Sequence, residues 1–349
     1  MNESSIKIVF WGTSRFGIPS LEALIKNGYE IIAVITTPDE PTGRKQIITP
    51  PPIKSWLQTT KYRVQLFQPQ SLKIDSLANS LEIENLKLKI ADADVGIVAS
   101  YGKIIPKEFL TIPKYGFLNI HPSLLPKYRG PTPIQTVILN GEEKTGVTIM
   151  SMDEQMDHGP IIIKHETEIM KHDNYKTLYD KLAEFGANLL IVTLPKWIRG
   201  KIKSQEQDHT EATFTKKFTR ENGYLNFEKP AEYLDRQIRA LNPEPGTWVT
   251  TKSKIKNPWP HQTKQDRQKT KSGDKKENVL KIIQAEPDNE ESGLYVGTVF
   301  KNSKNQIAVQ CKTDSLVLLS LQKGGGKILS VQEFINGHKD FIGSRLNIV

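Results

Sequence analysis

One cysteine, Cys311, occurs in 349 residues. A lone thiol closes no internal disulfide and leaves no cysteine cluster for zinc. The seven histidines also lack an HExxH or comparable ligand spacing, so no metal is expected. No apolar run approaches the roughly 20 residues that a membrane-spanning helix requires. The opening MNESSIKIVFWG has no basic segment before its short apolar stretch, which argues against a secretory signal and makes a cytoplasmic protein the expectation. Between Gly12 and Gly17 there is neither a GxGxxG spacing nor a GK[ST] ending, so neither a dinucleotide nor a P-loop nucleotide is supported.

What is present suits a folded chain without a membrane partner. Hydrophobic residues make up 37% and charged residues 25%, ordinary for a globular protein. The length exceeds what one core usually organises, so two domains are expected; nothing in the sequence points to an oligomer, and a monomer is the default expectation. The net charge of +9 is unevenly placed: +2 falls in residues 1–200 and +7 in residues 201–349. That asymmetry suggests a polyanionic partner for the C-terminal part.

Residues 6–11 form a compact apolar run, 17–27 show helical spacing, and 30–36 are rich in β-branched residues. This is a βαβ opening and predicts a Rossmann-like α/β domain with a mostly parallel sheet. Further strands are expected at 93–99, 116–121, 145–152 and 160–169, then a helix over about 174–199. The first domain is therefore placed at 1–203. The polar, unpatterned stretch 204–222 is the candidate linker. A second domain, 223–349, opens with a helix at 230–241 and continues in short β-rich pieces at 246–251, 279–284, 294–300, 306–311 and 315–321, which predict a small, OB-like β-barrel. Within it, 252–278 is a lysine-rich excursion expected to be exposed.

The densest chemical signal is Asn119-Ile120-His121-Pro122-Ser123-Leu124-Leu125-Pro126, directly after an apolar strand. In an open α/β sheet, functional groups gather where strands end. Residues two apart on a strand share a face, so the Asn119 amide and the His121 imidazole can converge on one small group. An acidic loop, Met152 to Gly159, is expected at the corresponding edge and offers Asp157. An amide and an imidazolium can steady the oxyanion formed when an amine attacks a carbonyl, and a carboxylate can orient the imidazole and assist proton removal. On spacing alone, the same residues could equally cap a strand and fill an Asx-turn.

With these motifs the chain resembles the folate-dependent formyltransferase superfamily, whose hallmark is an Asn-x-His-x-Ser-Leu-Leu-Pro segment with a later Asp-x-Gly. The match runs from 116 to 162. The resemblance implies Asn119, His121 and Asp157 as catalytic residues, and 10-formyltetrahydrofolate as formyl donor. It further implies Ser123, Leu124, Leu125 and Pro126 as folate contacts. Val98 to Ile104 is similar to the family's pterin-pocket strand and loop, which implies Tyr101, Gly102 and Ile104 as further contacts.

Trp11 to Gly17, Thr37 to Lys45, Tyr128-Arg129-Gly130, Arg239 to Gly246 and Gly326 to Phe334 resemble the branch of that superfamily acting on initiator methionyl-tRNA. This implies Arg44 and Lys45 as contacts to the tRNA acceptor end and a tRNA-binding role for the second domain. Ser14 stands where the branch usually has proline, Pro160 where it more often has an acidic residue, and the 252–278 excursion is longer than the family norm. Asp157-His158-Gly159-Pro160 is similar instead to the glycinamide ribonucleotide branch. That branch remains an alternative, as does an RNA-binding relative without catalysis.

Overall fold

The structure, a computed structural model, describes residues 6–43, 45–73, 77–251 and 278–347. Arg44 and the lysine-rich excursion, apart from Asn278, lie outside the described residues. The chain divides into two compact units, residues 1–137 with 142–216, and residues 138–141 with 217–349.

The elements up to residue 198 are β1 (Lys7–Gly12), α1 (Ile18–Lys26), β2 (Glu30–Ile35), β3 (Glu40–Thr42), β4 (Ile47–Thr49), α2 (Pro52–Thr59), β5 (Leu66–Phe67), α3 (Leu77–Ala91), β6 (Val95–Ala99), α4 (Lys107–Leu110), β7 (Phe117–His121), α5 (Pro133–Asn140), β8 (Lys144–Ser151), β9 (Ile161–Glu168) and α6 (Tyr175–Ile198). Seven strands form one sheet in the order β5-β2-β1-β6-β7-β8-β9. The first five are parallel, and β8 and β9 are antiparallel additions at one edge. The mostly parallel α/β sheet expected from the sequence is thus present.

Both faces of the central strands are covered, which is why β1 and β6 read as unbroken apolar runs. On one face Val9, Trp11, Val98 and Phe117 join Ile83, Leu86 and Ile90 of α3 and Phe109 of α4 in a buried core. On the other, α6 lies against β7 and β8 with Leu178, Leu182 and Leu190 buried. Gly186 admits the close approach there, since a Cβ on it would stand 2.6 Å from Ile120 Cγ2. Ile120 therefore faces α6, and alternation along β7 turns Asn119 and His121 to the opposite face, in line with Phe117.

The second unit holds α7 (Ala231–Leu241), β10 (Trp248–Thr251), β11 (Asn278–Asp288), β12 (Val299–Lys301), β13 (Ile307–Gln310), β14 (Ser315–Lys323), β15 (Ile328–Ser330) and α8 (Val331–Gly337). Its antiparallel sheet runs β10-β11-β14-β13-β12, with β15 paired to β14. Leu346 bridges to Thr251 and Arg345 to Thr298, so the C-terminal segment touches both ends of the sheet and curls it towards a barrel. Leu234 and Ile238 of α7 pack with Leu280, Ile282, Leu316, Leu318 and Phe334 as the core of this unit. The strand expected at 294–300 starts only at Val299, because Gly297, at φ 85°, turns the chain just before it.

Candidate active site

Asn119 and His121 lie on β7 as the two-residue period requires, the imidazole buried and the amide partly so. Asp157 arrives differently from the expectation. Because β8 runs antiparallel to β7, Ser151 pairs with Leu118, and the strand leaves the sheet at the end opposite to that where β7 finishes. The loop 152–160 then carries Asp157 back over the sheet face. There the Asn119 Nδ2 donates to Asp157 Oδ1 at 3.2 Å, and His121 Nδ1 lies 3.5 Å from the same oxygen.

The tautomer of His121 follows from its other nitrogen. Nε2 is 3.0 Å from the Tyr128 carbonyl, which can only accept, so Nε2 carries a proton. Nδ1 is too far from Asp157 for a hydrogen bond, and its edge of the ring is the one turned towards Asn119 and the carboxylate. Asp157 Oδ2 accepts from the Gly130 backbone N–H at 2.8 Å, which fixes the carboxylate and leaves Oδ1 on the side of the amide and the imidazole. With 5% and 14% of the His121 and Asp157 side chains exposed, solvent screens these groups poorly, and charge developing between them interacts strongly.

Two residues at this point hold left-handed backbone without being glycine: Tyr128 at φ 61° and Asp157 at 51°. Such conformations cost on the order of 1 kcal/mol or more each and gather at functional sites.

The remaining expected residues fall into distinct environments. Ser123 and Leu125 are wholly buried. Ser123 Oγ donates to the Lys127 carbonyl at 2.7 Å, and the Leu125 backbone N–H donates to Thr148 Oγ1 at 3.2 Å, so both residues build the loop from inside. Leu124 and Pro126 are partly exposed, Gly102 is exposed, and Ile104 is 77% exposed. Tyr101 stacks edge-on against Trp11 with ring centroids 5.1 Å apart. Its hydroxyl is buried with no hydrogen-bond partner among the described residues, and burial pushes its ionisation far above the usual tyrosine range.

Lys45 sits exposed at the turn of the β3–β4 hairpin, beside the exposed Ile47 and Ile48. At the base of that hairpin, Lys54 Nζ donates to both Asp39 oxygens at 2.7 and 2.8 Å and to Gln68 Oε1. Those hydrogen bonds from Lys54 and Gln68 hold the Asp39 carboxyl below its ordinary range. Among the described residues, no group of His, Cys, Asp and Glu is arranged to hold a metal ion, and no helix is long and apolar enough to cross a membrane.

The family model for formyl transferase matches residues 6–194, and that for the formyl transferase C-terminal domain matches residues 217–339. The methionyl-tRNA formyltransferase of Bacillus velezensis is 38% identical over 333 residues, covering 95% of this chain and 94% of its own. The chain belongs to the methionyl-tRNA formyltransferase family. Another member of that family, from Caldanaerobacter subterraneus, is 36% identical over 333 residues, 95% of this chain and 97% of its own. A sugar 3N-formyl transferase, solved in the presence of dTDP and 5-N-formyl-THF, shares the fold at a TM-score of 0.58 and 21% identity, over 92% of this chain and 99% of that one.

Within this family member, three groups at the site escaped the sequence reading: the Tyr128 carbonyl, the Gly130 N–H and Gln207. The first two are backbone atoms, and a sequence carries no direct sign of where a carbonyl points. Gln207 lies in the polar stretch expected as a linker, yet it is 5% exposed and donates to the Asp157 and Gly159 carbonyls. That stretch is fastened as far as Thr215. Gln205 pairs with Ile161, and Thr213 and Thr215 exchange backbone hydrogen bonds with Arg129.

Proposed function

We propose that this chain transfers the formyl group of 10-formyltetrahydrofolate to the free amino group of methionyl-initiator tRNA, as a cytoplasmic monomer. The observation that carries the reading is the convergence of Asn119, His121 and Asp157 on one weakly solvated face, in a chain of this family.

The neighbouring residues offer apolar surface and open backbone to the ring portion of the folate. Ile104 stands bare and Gly102 offers open backbone beside it, while Leu124 and Pro126 present partly exposed apolar surface. Tyr101, Gly102, Ile104, Leu124 and Pro126 would hold the co-substrate, with Ser123 and Leu125 shaping the loop beneath. Bound there, it supplies an activated one-carbon acyl group.

The chain's own residues then have separable tasks. The second N–H of the Asn119 amide and the Nδ1–H of a protonated His121 donate to the carbonyl oxygen as it gains negative charge. One such donor contributes about 10²–10³-fold in rate. Asp157 Oδ1 receives the proton that the attacking amine must lose, directly or through water, an effect of about 10²–10⁴-fold. That proton passes to N10 of the departing tetrahydrofolate as the bond from N10 to the formyl carbon breaks. Nε2 stays on the Tyr128 carbonyl and holds the ring in place while Nδ1 works. Lys45, exposed at the turn of the β3–β4 hairpin, and Arg44, next to it in sequence, guide the acceptor end, and the positive excess of residues 201–349 attracts the phosphate backbone of the tRNA.

The test is the identity of the acceptor. Given 10-formyltetrahydrofolate labelled in its formyl carbon, and either methionyl-initiator tRNA or glycinamide ribonucleotide, the protein is expected to label the tRNA-bound methionine. Label on the ribonucleotide, or on neither, would overturn the proposal.

A further inference from the structure

We infer that Gln207 is a positioning residue for formyl transfer: its amide holds the backbone of the 157–159 turn, and so aims the Asp157 carboxylate at the reacting groups. The inference rests on the reading of Asp157 as the proton acceptor.

The orientation of the Gln207 amide is settled by its partners. Arg129 can only donate, and it gives Nε and Nη2 to Gln207 Oε1 at 3.2 and 2.6 Å. The amide nitrogen therefore faces the other way, where it donates to the Asp157 carbonyl at 3.0 Å and the Gly159 carbonyl at 2.7 Å. Both protons and the oxygen of one buried side chain are engaged. Arg129, 3% exposed, is no more able to move than Gln207. Its Nη2 also donates to His209 Nδ1 at 2.9 Å, so that nitrogen of His209 is unprotonated. The His209 ring in turn stacks on His158, with centroids 4.0 Å apart, and His158 Nδ1 bonds Asp153 Oδ2 at 2.6 Å.

The turn that presents Asp157 is thus gripped at the carbonyls on both sides of His158 and at the His158 ring, all from residues 207–209. The same segment reaches the other half of the site. Thr213 Oγ1 accepts from the Tyr128 N–H at 2.8 Å, and Thr215 N–H donates to the Arg129 carbonyl at 2.7 Å. Tyr128 and Gly130, which flank Arg129, supply the carbonyl that holds His121 and the N–H that holds the Asp157 carboxylate. These contacts also hold Asp157 in its left-handed backbone, φ 51°, a conformation uncommon outside glycine although aspartate tolerates it better than most residues.

Gln207→Glu separates aiming from folding. A glutamate retains an acceptor for Arg129 and forms an ion pair with it, but it loses the donors to the two carbonyls. The expected result is a kcat reduced about 10–100-fold, from misplacement of a reacting group, with KM for both substrates changed less than about threefold. Gln207→Met, of similar length and without hydrogen bonds, is expected to lower kcat at least as far. Each change is then combined with Asp157→Asn. If Gln207 acts through Asp157, each double variant is no slower than Asp157→Asn alone. Multiplying losses would overturn the inference, as would wild-type kcat in both Gln207 variants. An Asp157→Asn enzyme of undiminished rate would instead remove the reading on which the inference stands.

Discussion

Two asparagines, one in each unit, show how differently the two halves of this molecule use a polar side chain inside a fold. Asn242, after α7, is satisfied all round: Nδ2 lies within 3.0–3.1 Å of Thr247 Oγ1 and of the carbonyls of Ile238, Ile282 and Ile283, and Oδ1 accepts from the Thr247 N–H. It ties a helix end to a sheet. The Asn119 side chain makes, among the described residues, one hydrogen bond, to Asp157 Oδ1. Burying a polar group without partners is costly. The Asn119 amide is only partly buried, so its spare hydrogen-bonding capacity is open to solvent and, on the proposed function, to a substrate oxygen. Asn119 keeps hydrogen-bonding capacity in reserve on a sheet face, while Asn242 uses its own to join elements.

The sharpest way to break this contrast is to remove the most heavily used group of the site. His121→Ala is expected to lower kcat by about 10²–10⁴-fold, with KM for methionyl-tRNA nearly unchanged, which steady-state kinetics will show. Exchanging the two asparagines in turn sharpens the comparison. Asn119→Ala should cost about 10²–10³-fold in kcat and shift the melting temperature little. Asn242→Ala should behave in the opposite way, losing about 1–3 kcal/mol of stability while kcat of the folded protein is preserved. A calorimetric scan paired with an activity assay separates them, and equal effects on both readouts for both variants would dissolve the distinction.

The smallest expected effect concerns Cys311. It is 1% exposed, and burial pushes its thiol up to about 12, so at neutral pH it is neither accessible nor ionised. An alkylating reagent at pH 7.5 should leave it unmodified until the second unit unfolds, as mass spectrometry can establish. Rapid labelling of the native protein would mean that the core around Leu316 and Leu318 opens readily.

The sheet of the first unit was legible because its strands are short apolar runs separated by turn residues, a pattern that follows from burial on both faces. Asn119 and His121 could be paired from sequence because a strand repeats every two residues. The direction of β8 could not be read, since an apolar run is the same in either sense, and so the route by which Asp157 reaches the site was missed. The helix α3 escaped for another reason. Ile83, Leu86 and Ile90 are buried at helical spacing, but Leu81 and Leu88 are each 69% exposed, and apolar residues on several sides blur the period. The β3–β4 hairpin has all six of its residues exposed, so it carries no alternation to detect. Gln207 was invisible in principle, because its partner Arg129 is 78 residues away and a single polar residue in a polar stretch has no pattern.

The proposed chemistry turns most directly on a carboxylate taking a proton from the attacking amine. Asp157→Asn keeps the size and much of the hydrogen bonding of the side chain while removing its basicity. Single-turnover formylation of methionyl-tRNA, with enzyme and labelled 10-formyltetrahydrofolate both saturating, should slow by about 10²–10⁴-fold while the affinity for tRNA stays the same. A rate within a few-fold of the unaltered enzyme would contradict the account at its centre.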